Sequence, residues 1–292
     1  AKALLDELKI LTYVGKHEHV VSLVGAITNI DERKIQVILE YCADGSLDKY
    51  LIEKRNSFLD EITNDEICFS VSTAGTQNLA PGYFKIDYAI KTFDLIRWAY
   101  HIACGMQYLS SKKIIHGDLA VRNLLLTDTR DLKISDFGLS KKIADSQDQY
   151  IPSGNLHDQP WRSVAPEWFE NSILSSATDV WSYGITVWEI FSLAELPYPK
   201  FPACTADFRD AIQNGHRNSK PLYANTYIYE ILLLCWDAEP SQRPTFSDLT
   251  KIFLDLLPKN YGKTIDVGVY PFQSKGHIVE PVTLYSGPDG YI

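Results

Sequence analysis

The run Val180 to Leu193, VWSYGITVWEIFSL, constrains the fold more than any other stretch, because it has helical length and is apolar almost all round. Such a helix has no face to give to water and must be enclosed on every side, so the chain has to build a body of other elements around it. Asp179 sits in its first turn, where unpaired backbone N–H groups favour a carboxylate. A second helix is predicted from Phe93 to Leu109, with Leu95, Ile96, Ala99, Ile102, Ala103, Met106 and Leu109 on its apolar side and Thr92 as N-cap. Nearer the start, Leu4, Glu7, Leu8 and Leu11 share one helical stripe that Gly15 is placed to end. Glu7 is thus a carboxylate among leucines and needs a positive partner or solvent. His19 to Ala26 and Ile35 to Leu39 read as two strands joined by the polar turn Asn29 to Lys34.

The chemistry concentrates between Lys113 and Gly138, KIIHGDLAVRNLLLTDTRDLKISDFG. Two short apolar runs, Leu124 to Leu126 and Leu132 to Ile134, flank a polar turn and read as a small hairpin. A hairpin brings its ends together, so Asn123 and Asp136 should face each other across its base. Their oxygens suit a hard cation such as magnesium. Asp118 lies just upstream in a loop entered from Ile114 and Ile115, a carboxylate left over to act as base. The spacing H-x-D-L-x-x-x-N followed by D-F-G resembles the catalytic core of protein kinases, and Asp118-Leu119-Ala120-Val121-Arg122-Asn123 has the tyrosine-kinase form.

That resemblance implies an α+β, two-lobed kinase fold with a mainly helical large lobe and most of the small lobe's sheet missing. Its parts would be a partial small lobe at 1–42 (helix, two strands, hinge), a large lobe at 43–257 and a C-terminal tail at 258–292. It implies that ATP supplies the phosphate and that magnesium ions are held by Asn123 and Asp136. Asp118 would orient the acceptor hydroxyl beside Arg122 and Asn123. Glu40-Tyr41-Cys42 resembles the hinge, where backbone groups of Glu40 and Cys42 would meet adenine, with Leu39 as gatekeeper and Leu125 as floor. Glu7 would pair with a strand lysine that grips the phosphates. Leu11, Leu23, His116 and Phe137 match the stacked apolar column of active kinases, Asp179 the support of the catalytic-loop backbone, and Arg243 the partner of Glu167 in Ala165-Pro166-Glu167. Pro160 would offer a flat wall to an acceptor tyrosine.

Between about Lys54 and Lys91 the periodic pattern fails and Ser, Thr, Asn, Gly and acidic residues take over. A segment of that length without structure is unusual in a compact domain. It resembles the insert that splits the kinase domains of platelet-derived, vascular endothelial and fibroblast growth factor receptors, and the run WEIFSLAELPYP resembles the receptor class too. By this reading the protein signals as a receptor dimer with its kinase on the cytoplasmic side of a membrane, or lies in the cytosol if it is not a receptor. Tyr83 and Tyr88 in the insert, and Tyr261, Tyr270, Tyr285 and Tyr291 in the tail, are candidate docking sites for phosphotyrosine-reading adaptors.

With 45% hydrophobic and 22% charged residues the chain has the composition of an ordinary soluble, folded protein. A net charge of −9 without basic clusters argues against a nucleic-acid partner. The cysteines, Cys42, Cys68, Cys104, Cys204 and Cys235, lack metal-ligand spacing and read as reduced thiols. No apolar run is long enough to span a bilayer and no signal-peptide pattern opens the sequence. Met106 is the only methionine, so the sequence is expected to be a fragment.

Three departures from the family pattern bear on activity. No G-x-G-x-x-G occurs, so the phosphate-covering loop and the lysine are expected upstream and this fragment alone is expected to be inactive. Gly117 stands where most tyrosine kinases have arginine, removing the charge that commonly meets a phosphorylated activation segment. Tyr150 is the phosphorylation candidate there, acting weakly or through Lys141, Lys142 or Arg162. Pro160-Trp161-Arg162-Ser163-Val164-Ala165-Pro166-Glu167 has its tryptophan displaced from the family position. Two readings therefore stand, a tyrosine kinase and a pseudokinase that acts as a binding or scaffolding module.

Overall fold

The leucine stripe at the start forms α1 (Lys2–Val14), and Gly15, at φ +73°, ends it while its amide still reaches the Leu11 carbonyl at 3.3 Å. The computed structural model describes residues 2–29, 34–69, 89–144, 147–151 and 160–262. A body of Ala1–Pro258 is distinguished from a C-terminal piece, Lys259–Ile292, in which residues 259–262 form a turn. Tyr83, Tyr88, Tyr270, Tyr285 and Tyr291 lie outside the described residues.

After α1 comes an antiparallel pair, β1 (Leu23–Asn29) and β2 (Lys34–Leu39), with Leu23 opposite Leu39 and Ile27 opposite Gln36. The first strand, expected from His19, begins only at Leu23. The reason is competition: the His19 carbonyl accepts from the Ile134 amide and the Val21 amide donates to the Ile134 carbonyl, both at 2.9 Å. Residues 19–21 are therefore spent on pairing with the hairpin of the large lobe, and Val20 and Val21 are buried there.

β3 (Gly45–Ser46) and α2 (Leu47–Lys54) follow, the latter sinking Leu47 and Leu51. Residues 55–67, where the composition suggests no regular structure, are built into the fold. A short 3-10 turn leads to a small hairpin, β4 (Ile62–Thr63) with β5 (Glu66–Ile67). The Asp65 carboxylate in its turn accepts from the Thr226 amide at 2.8 Å, fastening it to the large lobe. The N-cap of helix α3 (Thr92–Ser111) is Lys91 rather than the expected Thr92: the Lys91 amide donates to Asp94 at 3.1 Å, while the Thr92 hydroxyl accepts from the Glu61 amide at 2.8 Å.

The chain then makes β6 (Ile114–Ile115), β7 (Leu124–Leu126), β8 (Leu132–Ile134), β9 (Lys141–Lys142), β10 (Gln149–Tyr150), α4 (Pro166–Asn171) and β11 (Leu174–Ser175). It closes with α5 (Ser176–Phe191), α6 (Ala206–Gln213), α7 (Thr226–Cys235) and α8 (Phe246–Leu256). β3, β7 and β8 form one sheet; β6 pairs with β9 and β10 with β11. As its composition demands, α5 is enclosed: every residue from Thr178 to Phe191 is buried except Glu189. Side-chain caps start the helices where the sequence offers them, Thr178 with Ser175, Ile228 with Asn225 and Asp248 with Thr245. The architecture is the α+β, helix-rich one the resemblance implies. Among the described residues no helix is long and apolar enough to cross a membrane, and the five cysteines are free.

The two lobes join through a stack of rings. His19 lies parallel to His101 of α3, with centroids 4.0 Å apart, and His17 stacks on Tyr108 at 4.4 Å. Gly105 lets α3 come this close, since a Cβ there would lie 2.8 Å from the His19 carbonyl oxygen.

Candidate active site

The β7–β8 hairpin forms in the expected register, Leu124 opposite Ile134 and Leu126 opposite Leu132. Its side chains Leu124, Leu126, Leu132 and Ile134 are buried, which sets its open end on the large lobe. There the Asn123 carbonyl accepts from the Ser135 amide at 2.9 Å and from the Ser135 hydroxyl at 2.8 Å. Asn123 donates through Nδ2 to the Asp118 carbonyl at 2.7 Å and carboxylate at 2.9 Å, and Arg122 donates to the other carboxylate oxygen of Asp118. Two donors thus fix the one carboxylate that the sequence left for a base.

The loop carrying Asp118 is held from behind by Asp179 of α5. Its carboxylate accepts from the His116 amide at 2.8 Å and the Gly117 amide at 3.0 Å. Burial pushes the Asp179 pKa up to about 7, and the two amides pull against that rise. Gly117 sits at φ +77°, and a Cβ there would lie 3.2 Å from the Leu139 carbonyl oxygen. The backbone here is therefore shaped for glycine, and an arginine would be strained.

His116 is fully buried, and its Nδ1 accepts from the Asp118 amide at 3.2 Å. Its Nε2 therefore carries the hydrogen and donates to the Ser135 carbonyl at 3.1 Å. Burial depresses its pKa, so the ring is a neutral packing element. It meets Phe137 edge-on at 5.3 Å, and Phe137 and Leu11 are buried while Leu23 is half-buried.

Asp136 is exposed at φ +61°, with its carboxylate accepting from the Gly138 amide at 3.2 Å. With its Nδ2 turned onto Asp118, Asn123 has its Oδ1 as the remaining donor for a cation. Among the described residues no three His, Cys, Asp or Glu side chains gather as a metal site. One carboxylate and one amide oxygen fit an ion such as magnesium, which completes its shell with water and phosphate rather than protein.

Glu7, on α1, lies near Asp136 and the Phe137 backbone, which act on its carboxyl in opposite senses. Burial and then the Asp136 charge raise its pKa. At the hinge, Glu40 is braced rather than free. Its amide donates to the Ser22 carbonyl at 3.0 Å, and its carboxylate accepts from the Ser22 amide at 2.5 Å and pairs with Lys133 at 3.1 Å. Cys42 is buried with its carbonyl accepting from Gly45 at 3.2 Å, and Asp44 and Gly45 lead into the strand beside Leu125 and Leu126. Leu39 and Leu125 are half-buried. All of the site residues expected from the sequence thus lie in the body formed by residues 1–258, in two groups: Asp118, Arg122 and Asn123, bonded to one another, and Leu39, Glu40, Cys42 and Leu125 around the hinge. The Asp136 charge acts on Glu7, and Asp136 follows Ser135, which is bonded to Asn123.

The segment with the displaced tryptophan is ordered. Trp161 packs edge-on against Phe208 at 4.7 Å, and the Arg162 guanidinium lies over the Trp161 ring at 4.0 Å. Arg162 donates to the Pro197, Tyr198 and Phe201 carbonyls at 2.7, 3.0 and 2.8 Å. It is thus committed within the fold and is not the phosphate partner for Tyr150 that the sequence suggested; Lys142 lies over the Tyr13 ring at 3.7 Å. Tyr150 packs against the buried cluster of Ile115, Ile143 and Leu174. Arg243 forms the expected bidentate pair with Glu167 at 2.7 and 2.8 Å. Sequence reasoning missed Lys133, which pairs with Glu40, and Glu189. For Glu189 the signal was present as the lone acid in the apolar run 180–193.

A family model described as protein tyrosine and serine/threonine kinase matches residues 1–253. Vascular endothelial growth factor receptor 1 of Homo sapiens is 37% identical over 89% of the chain and 22% of its own length. The mast/stem cell growth factor receptor-related protein Kit of Xenopus laevis is 36% identical over 90% of the chain and 31% of its length. Platelet-derived growth factor receptor alpha of Homo sapiens is 33% identical over 91% and 30%. The chain spans less than a third of the length of each of these relatives.

Proposed function

We propose, from the premise that the chain belongs to the protein tyrosine and serine/threonine kinase family and is a tyrosine kinase domain similar to those of growth-factor receptors, that it transfers the terminal phosphate of ATP to protein tyrosine. The observation that carries this is the fixing of Asp118 by Arg122 and Asn123 on a loop whose amides are held by Asp179. In this reading Asp118 orients the tyrosine hydroxyl and takes its proton as the oxygen attacks phosphorus. ADP leaves, and phosphotyrosine remains. Asn123 and Asp136 hold magnesium, which screens the phosphate charge. Backbone groups of Glu40 and Cys42, with Leu39 and Leu125, take the adenine. Glu7 is the acid that would pair with the lysine gripping the phosphates. The complete protein, in this reading, is a receptor that pairs at a membrane with this domain on the cytoplasmic side. Tyrosines 83, 88, 261, 270, 285 and 291 are its candidate adaptor sites.

A second reading, a scaffold that transfers nothing, is favoured by Gly117 and by the displaced Trp161. The test is transfer from Mg-ATP to a tyrosine polymer, read beside the thermal shift that Mg-ATP produces. Asp118→Asn should lower transfer by about 100-fold or more and leave the shift, while Asp136→Asn should remove the shift. A protein with neither shift nor transfer is the scaffold. Tyr150→Phe should retain transfer, because the ring packs on apolar residues and position 117 offers no charge to a phosphate; abolished transfer would contradict this.

A further inference from the structure

Tyr13 lies in the last turn of α1, and three elements meet around its ring. The next residue, Val14, is buried and its carbonyl accepts from the Tyr108 hydroxyl of α3 at 2.5 Å. That bond fixes the end of α1 on α3, while Tyr13 stays 41% exposed. Two ammonium groups lie over the Tyr13 ring. Lys142 of β9 comes to 3.7 Å from its centroid, and Lys112, the C-cap of α3, to 5.5 Å. The adjacent Lys113 is spent on Asp148 at 3.0 Å, whereas among the described residues neither Lys112 nor Lys142 is paired with a carboxylate. In a chain of net charge −9 this is a local excess of cations, centred on one accessible tyrosine.

A phosphate on the Tyr13 hydroxyl would bring about two negative charges and three strong acceptor oxygens to this place. Lysine carries its charge on a flexible stem with three donors, so Lys112 and Lys142 can swing from the ring face to the phosphate without moving backbone. The helix end disfavours an anion, but only with a partial charge of roughly half a unit, which two whole cations outweigh. Elsewhere an activation-segment phosphate finds less. Position 117 is glycine, and Arg162 is committed to three carbonyls. Lys142, in the strand that begins just past Asp136-Phe137-Gly138, stands over Tyr13 instead.

We propose that Tyr13 is a regulatory phosphorylation site whose phosphate is received by Lys112 and Lys142, fastening the end of α1 to the start of the activation segment. The Tyr13 oxygen attacks the terminal phosphorus of ATP, the new O–P bond forms as the bond to ADP breaks, and the phenolic proton passes to the base of the transferring enzyme. That enzyme is a tyrosine kinase, in the first place a second copy of this domain, a source that rests on the kinase reading above. Terminal helix turns open most readily, and Tyr13 is in such a turn. Because α1 also carries Glu7, the fastening acts on the helix that the phosphate-gripping lysine has to meet.

The test incubates the protein with Mg-ATP, alone and with an added active tyrosine kinase, and then digests it with trypsin. Cleavage after Lys9 and Lys16 isolates residues 10–16, in which Tyr13 is the one tyrosine. Phosphate is expected on Tyr13 in that peptide and absent from Tyr13→Phe. In the phosphorylated protein, amide exchange should slow at least about fivefold in the last turn of α1 and in β9, and about 1 M salt should shrink the slowing. The double variant Lys112→Gln, Lys142→Gln should take up the phosphate and show no slowing. No phosphate on Tyr13 under either condition overturns the proposal. So does a phosphate that leaves exchange unchanged or speeds it, or a slowing that survives loss of both lysines. If the protein alone phosphorylates no tyrosine, the kinase reading fails, and the added kinase with the exchange measurement still decides the site.

Discussion

Asp179 and Glu7 each bring a carboxyl to the backbone around the catalytic centre, Asp179 from α5 and Glu7 from α1, and their surroundings differ in kind. Asp179 is buried and both of its oxygens are engaged, by the His116 and Gly117 amides. Glu7 is half-buried and has Asp136 as the charged neighbour acting on it. The large-lobe side of the site is satisfied by its own residues, whereas the small-lobe side contains an acid set against an acid. A site that brings ATP, magnesium and a lysine together would compensate just that side. The contrast is what a phosphotransfer centre needs, a rigid floor for the acceptor and an electrostatically unfinished roof for the donor.

Breaking the floor should cost most. Arg243 is buried, pairs bidentately with Glu167 and also donates to the Ala177 and Asp237 carbonyls. Arg243→Ala leaves an unpaired acid and bare carbonyls, and should destabilise the fold by about 3 to 5 kcal/mol in urea unfolding. Asp179→Ala should cost about 2 to 4 kcal/mol, since it strands two buried amides, and should speed exchange at His116 and Gly117. A loss below about 1 kcal/mol for either variant would mean that the floor is not held as described.

The ring stack that joins the lobes gives a milder, pH-dependent test. Burial lowers the pKa of His19, and that of His101 from the ordinary 6.5 to about 2. The groups facing them are Glu18, Asp131, Lys133 and Arg97. The folded state resists protonation while the unfolded chain accepts it, so the stability these rings contribute is full above the ordinary value and drains as pH falls below it. Between about pH 7.5 and about pH 5.5 the loss should be about 1 kcal/mol for His101, with His19 adding a loss of the same sign. His101→Phe should flatten the profile; an unchanged slope would place the pH sensitivity elsewhere.

Much of the floor was legible in the sequence because its determinants are local. The hairpin needs only two apolar runs and a polar turn, and the helical character of α5 only the absence of a polar side. What escaped depended on partners distant in the chain. His19 to Val21 look like strand, but only their pairing with Ile134 shows which sheet takes them. The hairpin at Ile62 to Ile67 is too short and polar to give a period, and it is secured by Thr226 and Asn225 far away in sequence. Arg162 looked like an available cation until three carbonyls were found around it. Thr92 had the chemistry of a cap but its hydroxyl was claimed by Glu61.

The roof offers the smallest and most diagnostic effect. Glu7 has its pKa raised from the ordinary 4.5 by burial and by Asp136, so its ionised form is a cost to the fold. That cost is absent below the ordinary value, where both states are protonated, and is complete once pH exceeds the raised folded value. Glu7→Gln keeps the shape but removes the charge. It should therefore stabilise the protein near neutral pH, by no more than about 0.5 kcal/mol because solvent screens a half-exposed group, and the gain should vanish below about pH 4.5. A carboxylate whose removal helps is one awaiting a cation. If Glu7→Gln instead weakened the fold as Asp179→Ala does, the acid would already be satisfied, and the division between a finished floor and an unfinished roof would disappear.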